Sequence, residues 1–235
     1  MCYTAQLDTG GLFPFSFESI ARWESVEPFP NFLRRSAAAR PTVPVVASED
    51  RTRFQPMRWL LVPPWITTGE EAKTLKIWTA NARIEELERK RLYRTLTAKN
   101  RCVVLFTGFY EWRHEEDGTK TMYLLKLPDG EPMLLPGLYV RGTIDGAPSE
   151  TCTVCTMEAR GIMRYIHNSN LRQPVVLDRT GIEAWLDPTC SFEDARRDVL
   201  HRERSDSFVP DPEVPGVPDS PNRGDDSPNG QLSLL

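Results

Sequence analysis

The sequence predicts an α+β domain with a mainly antiparallel, barrel-like β core flanked by a few helices. Three observations lead there. Short runs rich in β-branched and aromatic residues recur along the first 180 residues, each bounded by Gly, Pro or Asp. Only a few stretches carry one-sided helical spacing. Of 235 residues, 40 % are hydrophobic and 26 % charged, an ordinary globular composition with enough chain for one large core. Strands that do not alternate regularly with helices argue against a doubly wound sheet.

The elements follow in order. Strands are expected over 2–7, 43–47, 58–62, 101–106, 122–126, 133–140, 152–157 and 174–177. A helix can form over 15–23. Another is expected over 84–96, where Ile84, Leu87, Leu92 and Leu96 share one side among many charges. A short helix over 181–186 should stop before Pro188, and residues 193–204 read as a charged surface helix. Residues 205–235 hold six of the twenty prolines and six acids against Arg223 alone. They bury too little apolar surface to offset their ordering entropy, so the folded domain is expected to be 1–204 and the rest a disordered acidic tail.

Charge and cysteines narrow the class. The tail carries −5 of the net −4, leaving 28 basic and 27 acidic residues in the remainder. A nucleic-acid site would therefore be a local basic patch on a nearly neutral domain. No apolar run approaches the roughly 18 residues of a membrane span, and no signal peptide is read at the start. A cytoplasmic protein with no membrane partner follows as the expectation. Five cysteines do not suggest a disulfide framework. Cys152 and Cys155 lie on an expected strand, where odd spacing sends them to opposite faces, so no metal site is expected there.

Cys2 is the most informative single residue. Loss of Met1 is expected because the next side chain is small. Cys2 would then hold a free α-amine beside its thiol, groups with ordinary pKa values of about 7.7–8.0 and 8.5. Such a pair condenses with an aldehyde to an imine and closes a thiazolidine ring. A buried strand cysteine is the plain alternative.

Four further stretches stand out. Trp59-Leu60-Leu61-Val62-Pro63-Pro64-Trp65 fixes a rigid corner that leaves Trp65 as a core residue or a base-stacking surface. In Thr79-Ala80-Asn81-Ala82-Arg83, Asn81 fits a helix N-cap. Arg83 would then face the wrong end of the helix dipole, which calls for an anionic partner such as a phosphate or Glu85. In Thr107-Gly108-Phe109-Tyr110-Glu111-Trp112, a carboxylate between two aromatics is either exposed at a strand end or desolvated with a raised pKa. His167, within Tyr165-Ile166-His167-Asn168, has the semi-apolar setting that His114 and His201 lack, and fits a structural or an acid–base role.

In this order, the Met-Cys start, W-x-L-V-P-x-W, N-A-R, G-F-Y-E-W, I-H-N and R-x-P-V-V-L resemble the SOS-response-associated peptidase (SRAP) family, the abasic-site processing proteins, over residues 2 to about 190. The resemblance implies a single mixed α and β domain with a groove for single-stranded DNA, needing no cofactor and acting as a monomer near replication forks. It implies a covalent thiazolidine link between Cys2 and abasic sites, with lyase-like or autoproteolytic chemistry. On this chain the family's active-site groups fall on Cys2, Asn81, Glu111 and His167. Its DNA contacts fall on Arg83, Trp65, Trp112 and Arg172, with Pro41 and Thr156. Two departures are visible. Tyr3-Thr4 replaces the Gly-Arg that follows the family's cysteine, removing a basic contact at position 4, and the loop from His167 to Pro174 is longer than the family form.

Other readings remain open: a cysteine peptidase using Cys2 and His167, and a non-covalent single-strand binder. Separately, Gln231-Leu232-Ser233-Leu234-Leu235 resembles the peptide by which bacterial proteins dock on the replication sliding clamp. Gln231, Leu232, Leu234 and Leu235 would be its anchors on the polar tether.

Overall fold

A computed structural model describes residues 3–10, 29–204, 207–211 and 217–218. Cys2, the expected helix over 15–23 and Gln231, Leu232, Leu234 and Leu235 lie outside the described residues. The strands are β1 (Thr4–Leu7), β2 (Phe32–Ser36), β3 (Thr42–Ala47), β4 (Asp50–Trp59), β5 (Asn81–Arg83), β6 (Arg101–Phe106) and β7 (Gly108–His114). They continue with β8 (Lys120–Lys126), β9 (Met133–Ile144), β10 (Ala147–Glu158), β11 (Arg172–Pro174), β12 (Val209–Pro210) and β13 (Val217–Pro218). Five helices join them: α1 (Gly69–Lys73), α2 (Arg91–Arg94), α3 (Gly161–Ile166), α4 (Arg179–Leu186) and α5 (Phe192–Arg202). No helix among the described residues is long and apolar enough to cross a membrane.

The core is a closed five-stranded barrel. Strands β10, β4, β3, β6 and β9 pair in that order, and β9 pairs back onto β10. All the contacts are antiparallel except β4 on β10, a short parallel match of Thr151 to Arg58 and Cys152 to Trp59. Closure removes the free edges that an open sheet would expose. The longest ladder, β9 on β10, turns at Asp145-Gly146. Both residues have positive φ, 50° and 81°, the pairing that a two-residue type I′ hairpin demands. The barrel is filled by Trp59, Met57, Phe106 and Tyr139, with Trp59 and Phe106 rings 5.0 Å apart. The Trp59 indole N–H donates to the Ala80 carbonyl at 3.0 Å. On the outside, α4 presses Trp185 against the barrel, its indole N–H donating to the Cys102 carbonyl at 2.9 Å.

A second sheet runs β12-β8-β7-β1-β2, with β13 also on β8. Within the stretch 205–235, Val209–Pro210 and Val217–Pro218 each add a short antiparallel partner to β8.

Three expected elements changed form. The strand expected over 58–62 ends at Trp59, because Leu60 adopts φ 138° and turns the chain out of the sheet. The helix expected over 84–96 is a 3-10 turn at Ile84–Glu86 followed by the short α2. Its apolar side is still buried at Ile84, Leu87, Leu92 and Leu96, but the chain before it is drawn into β5 against β10. Gly108–His114, which carries G-F-Y-E-W, is a full strand and not the end of one.

Gly137 marks the tightest point of the barrel. A Cβ there would lie 2.2 Å from the Thr153 carbonyl oxygen across the β9–β10 ladder. Gly137→Ala is expected to lower unfolding free energy by about 3 kcal/mol, the upper range for overpacking. Gly142→Ala, on the same strand but in open space, should change it by less than about 0.5 kcal/mol. Urea unfolding of both variants checks the contrast.

Candidate functional site

The two sheets meet where β1, β7, β10, β5 and β11 converge. β1 lies antiparallel on β7, pairing Thr4 with Tyr110 and Ala5 with Phe109. Alternation along β7 then sends Glu111 to the opposite face from Tyr110 and Trp112. Glu111 is buried, 5 % exposed, as its aromatic neighbours suggested. Burial pushes its carboxyl up to about 7, against the opposing pull of the Trp112 N–H.

The partner of Glu111 is His167, just past the end of α3. Its Nδ1 stands 3.4 Å from Glu111 Oε2 and 2.7 Å from the Arg172 carbonyl oxygen. A carbonyl only accepts, so Nδ1 carries the hydrogen and Nε2 is the basic nitrogen. Burial lowers the imidazole to about 4, so the ring is neutral at physiological pH. The neighbouring Asn168 fixes this position. Its side-chain oxygen accepts from the His114 N–H at 3.0 Å, and its amide nitrogen donates to the His114 carbonyl at 2.7 Å. One amide thus bonds both backbone groups of β7, as a neighbouring strand would. The sequence reading gave Asn168 no role; its place beside His167 was the available signal.

Asn81 and Arg83 reach the same region by backbone pairing. β5 runs parallel to β10, matching Asn81 with Val154 and Arg83 with Thr156. Asn81 is therefore extended (φ −126°, ψ 141°) and buried, and it does not cap a helix as expected. The Tyr93 hydroxyl donates to its carbonyl at 3.3 Å. Arg83 finds its anion in Glu86 at 3.2 Å, not in Glu85.

Glu85 is instead the partner of Arg172. The Arg172 guanidinium is buried and donates to both Glu85 oxygens, to the Thr156 carbonyl at 2.8 Å and to Thr156 Oγ1 at 3.3 Å. A phosphate could reach Arg172 only by replacing the Glu85 carboxylate. Thr156, one of the expected DNA contacts, is fully buried, with its carbonyl and hydroxyl turned to Arg172. Glu111, His167, Arg172, Thr156, Arg83 and Asn81 thus form one connected set. Trp65 is 54 % exposed under the Arg91 guanidinium, 5.7 Å from its ring centroid. Trp112 and Pro41 are half-buried, and the Pro41 carbonyl accepts from the Trp59 N–H. Cys152 and Cys155 are fully buried on β10, where burial pushes both thiols up.

The buried pair gives opposite pH signatures. Glu111 holds its proton more tightly folded than unfolded, so its contribution is lost as pH rises from about 4.5 to about 7. His167 holds its proton less tightly when folded, so its contribution grows as pH rises from about 4 to about 6.5. Glu111→Gln removes only the first effect. Its stability minus that of the wild type should climb with pH across 4.5–7, by at most about 3 kcal/mol. Denaturant titrations at several pH values measure this; a flat difference would place the Glu111 carboxyl in a solvated setting.

Comparison with known proteins agrees with this architecture. Crystal structures of proteins from Bordetella bronchiseptica and Bacteroides thetaiotaomicron share the fold. The first has a TM-score of 0.70 at 22 % identity, covering 89 % of this chain and 98 % of that one. The second has a TM-score of 0.68 at 24 % identity, covering 84 % and 86 %. The abasic site processing protein YoqW of Bacillus subtilis is 31 % identical over 159 residues, 66 % of this chain and 67 % of its own. The abasic site processing protein HMCES of Gallus gallus is 33 % identical over 153 residues, but the match spans only 44 % of that longer protein. The model of the SOS response associated peptidase (SRAP) family matches residues 19–212, and this chain belongs to that family.

Proposed function

We propose that this protein processes abasic sites in single-stranded DNA by covalent capture through Cys2 after removal of Met1. The observation that carries the reading is the buried Glu111–His167 pair at the mouth of β1. Thr4 pairs with Tyr110, the residue before Glu111, and chain connectivity alone keeps Cys2 within about 7 Å of Thr4. The names of the curated relatives supply the substrate class.

The chemistry follows from the groups present. An abasic deoxyribose equilibrates between a closed hemiacetal and an open C1′ aldehyde. The neutral Cys2 amine adds to C1′, and loss of water leaves an imine. The thiol then adds across the C=N bond, its proton passing to nitrogen, to close a thiazolidine. Each step moves a proton, and a carboxyl poised near pH 7 can give and take one. His167, neutral and buried 3.4 Å away with its Nδ1 hydrogen on the Arg172 carbonyl, offers Nε2 as a second basic nitrogen. Asn81 orients the amine. Arg83 and Arg172 hold phosphates in exchange for Glu86 and Glu85, and Trp65 and Trp112 stack bases.

Incubating protein with an abasic single-stranded oligonucleotide tests this. Wild type should give a heat-stable adduct. Cys2→Ala lacks the thiol, so it should give none, yet its α-amine should yield an imine trapped by borohydride. Glu111→Gln should slow adduct formation by roughly 100- to 10,000-fold. A wild type without adduct, or a Cys2→Ala variant with as much, overturns the proposal. A peptidase using Cys2 and His167 would instead cleave an added protein substrate, and a non-covalent binder would be indifferent to Cys2→Ala.

A separate proposal concerns residues 231–235 as a sliding-clamp peptide at the end of a tail beyond residue 204. Deleting those five residues should abolish clamp binding in a pull-down; unchanged binding would refute it.

A further inference from the structure

Beyond the connected set lies an aromatic and cationic shelf. Tyr165 is 57 % exposed, one of few large apolar side chains left in solvent. One face of its ring is covered by the Arg113 guanidinium, 3.8 Å from the ring centroid. Arg113 also donates to the Tyr165 backbone carbonyl and pairs with Glu115 at 3.0 Å. The backbone around Tyr165 is therefore clamped to β7 twice, by Arg113 and by the two Asn168 bonds to His114. Tyr123, paired with Glu111 across the β7–β8 ladder, is half-buried and within electrostatic reach of both Arg113 and Tyr165.

The placement ties this shelf to the candidate site. Arg113 follows Glu111 by two residues on one strand, so both side chains share a face about 7 Å apart. Tyr165 precedes His167 by two residues. The shelf is the direct continuation of the Glu111–His167 pair along β7. We infer that the open face of Tyr165, backed by Arg113, is a stacking platform for the nucleobase adjacent to the abasic nucleotide.

This rests on the proposed function, and the lesion's own chemistry favours it. An abasic nucleotide has no base to be read, so affinity must come from phosphates and from flanking bases. Stacking suits that need because every base has a π-face, whatever its sequence. A guanidinium already seated over the ring's other face adds positive charge under the stacked base. Pre-ordering of the ring by the clamp reduces the entropy lost on binding.

The test uses single-stranded oligonucleotides holding a tetrahydrofuran abasic analogue, which binds without reacting. Three forms are compared: both flanking bases present, the 5′ flanking base removed, and the 3′ flanking base removed. Tyr165→Ala should raise Kd about 5- to 150-fold on the intact form, the equivalent of one stacked base. Tyr165→Phe should retain wild-type affinity. Wild type should lose a similar factor when one particular flanking base is removed, and Tyr165→Ala should be blind to that removal. Its Arg113 bond is to the Tyr165 backbone, so truncating the ring leaves the clamp intact. Equal binding by Tyr165→Ala and wild type, or an equal loss on all three forms, overturns the platform while wild-type adduct formation on an aldehyde-bearing abasic site still supports the function. Wild type that neither binds nor reacts overturns the function itself.

Discussion

The backbone ladder of β10 is the constraint on which the rest depends. Its first two-thirds pair with β9 from Ala147–Ile144 to Val154–Gly137, and this closes the barrel. Beyond Val154 the same strand takes two other partners. β5 lies parallel to it through Val154, Cys155 and Thr156, and β11 antiparallel through Thr156, Met157 and Glu158. One strand therefore sets the positions of Asn81, Arg83 and Arg172. A slip of one residue would turn every one of them to the other face. The Asp145-Gly146 turn at one end and the missing Cβ at Gly137 guard that register.

Against this frame the second sheet brings an acid. Glu111 and His167 are both almost fully buried, 3.4 Å apart, and burial raises one pKa and lowers the other, which favours the neutral form of both. Two neutral hydrogen-bonding groups cost far less to bury than an ion pair, whose desolvation can exceed its attraction. The pair stays poised because neither partner is strong enough to strip the other. A carboxyl near 7 that can still exchange its proton is what the stepwise imine and ring-closure chemistry of the proposed function would require.

Much of the fold could be read from local pattern, because strands with short apolar runs and punctuating turns carry their own signal. Arg101–Phe106, buried throughout, and the helix around Trp185 came through that way. Where tertiary pairing overrides local preference, the sequence misled. Ile84, Leu87, Leu92 and Leu96 are spaced for a helix, but β10 takes Asn81–Arg83 as a strand and the helix breaks into turns. Glu111 could be read because its two aromatic neighbours and the apolar strand before it are adjacent in the chain. The Glu85–Arg172 pair joins residues 87 apart, and Asn168 reaches His114 from 54 away. No local rule reports such contacts.

The ion pairs of Arg172 and Arg83 alter how the domain would meet DNA. Residues 1–204 are nearly neutral, and the two arginines of the connected set are already matched by Glu85 and Glu86 of one 3-10 turn. In the proposed function a phosphate does not find a bare cation; it exchanges with a carboxylate. That exchange releases fewer counterions than neutralising a phosphate with a free arginine, since the displaced glutamate gathers cations of its own. Intact DNA, which offers phosphates but no aldehyde, therefore gains little from these arginines. The strong attachment is left to the covalent step, which only a lesion can supply. The buried Arg172 adds to the discrimination, because its guanidinium stays bound to Thr156 while its outer edge changes partners. In the proposed function it would thus be held in position for the DNA strand before that strand arrives.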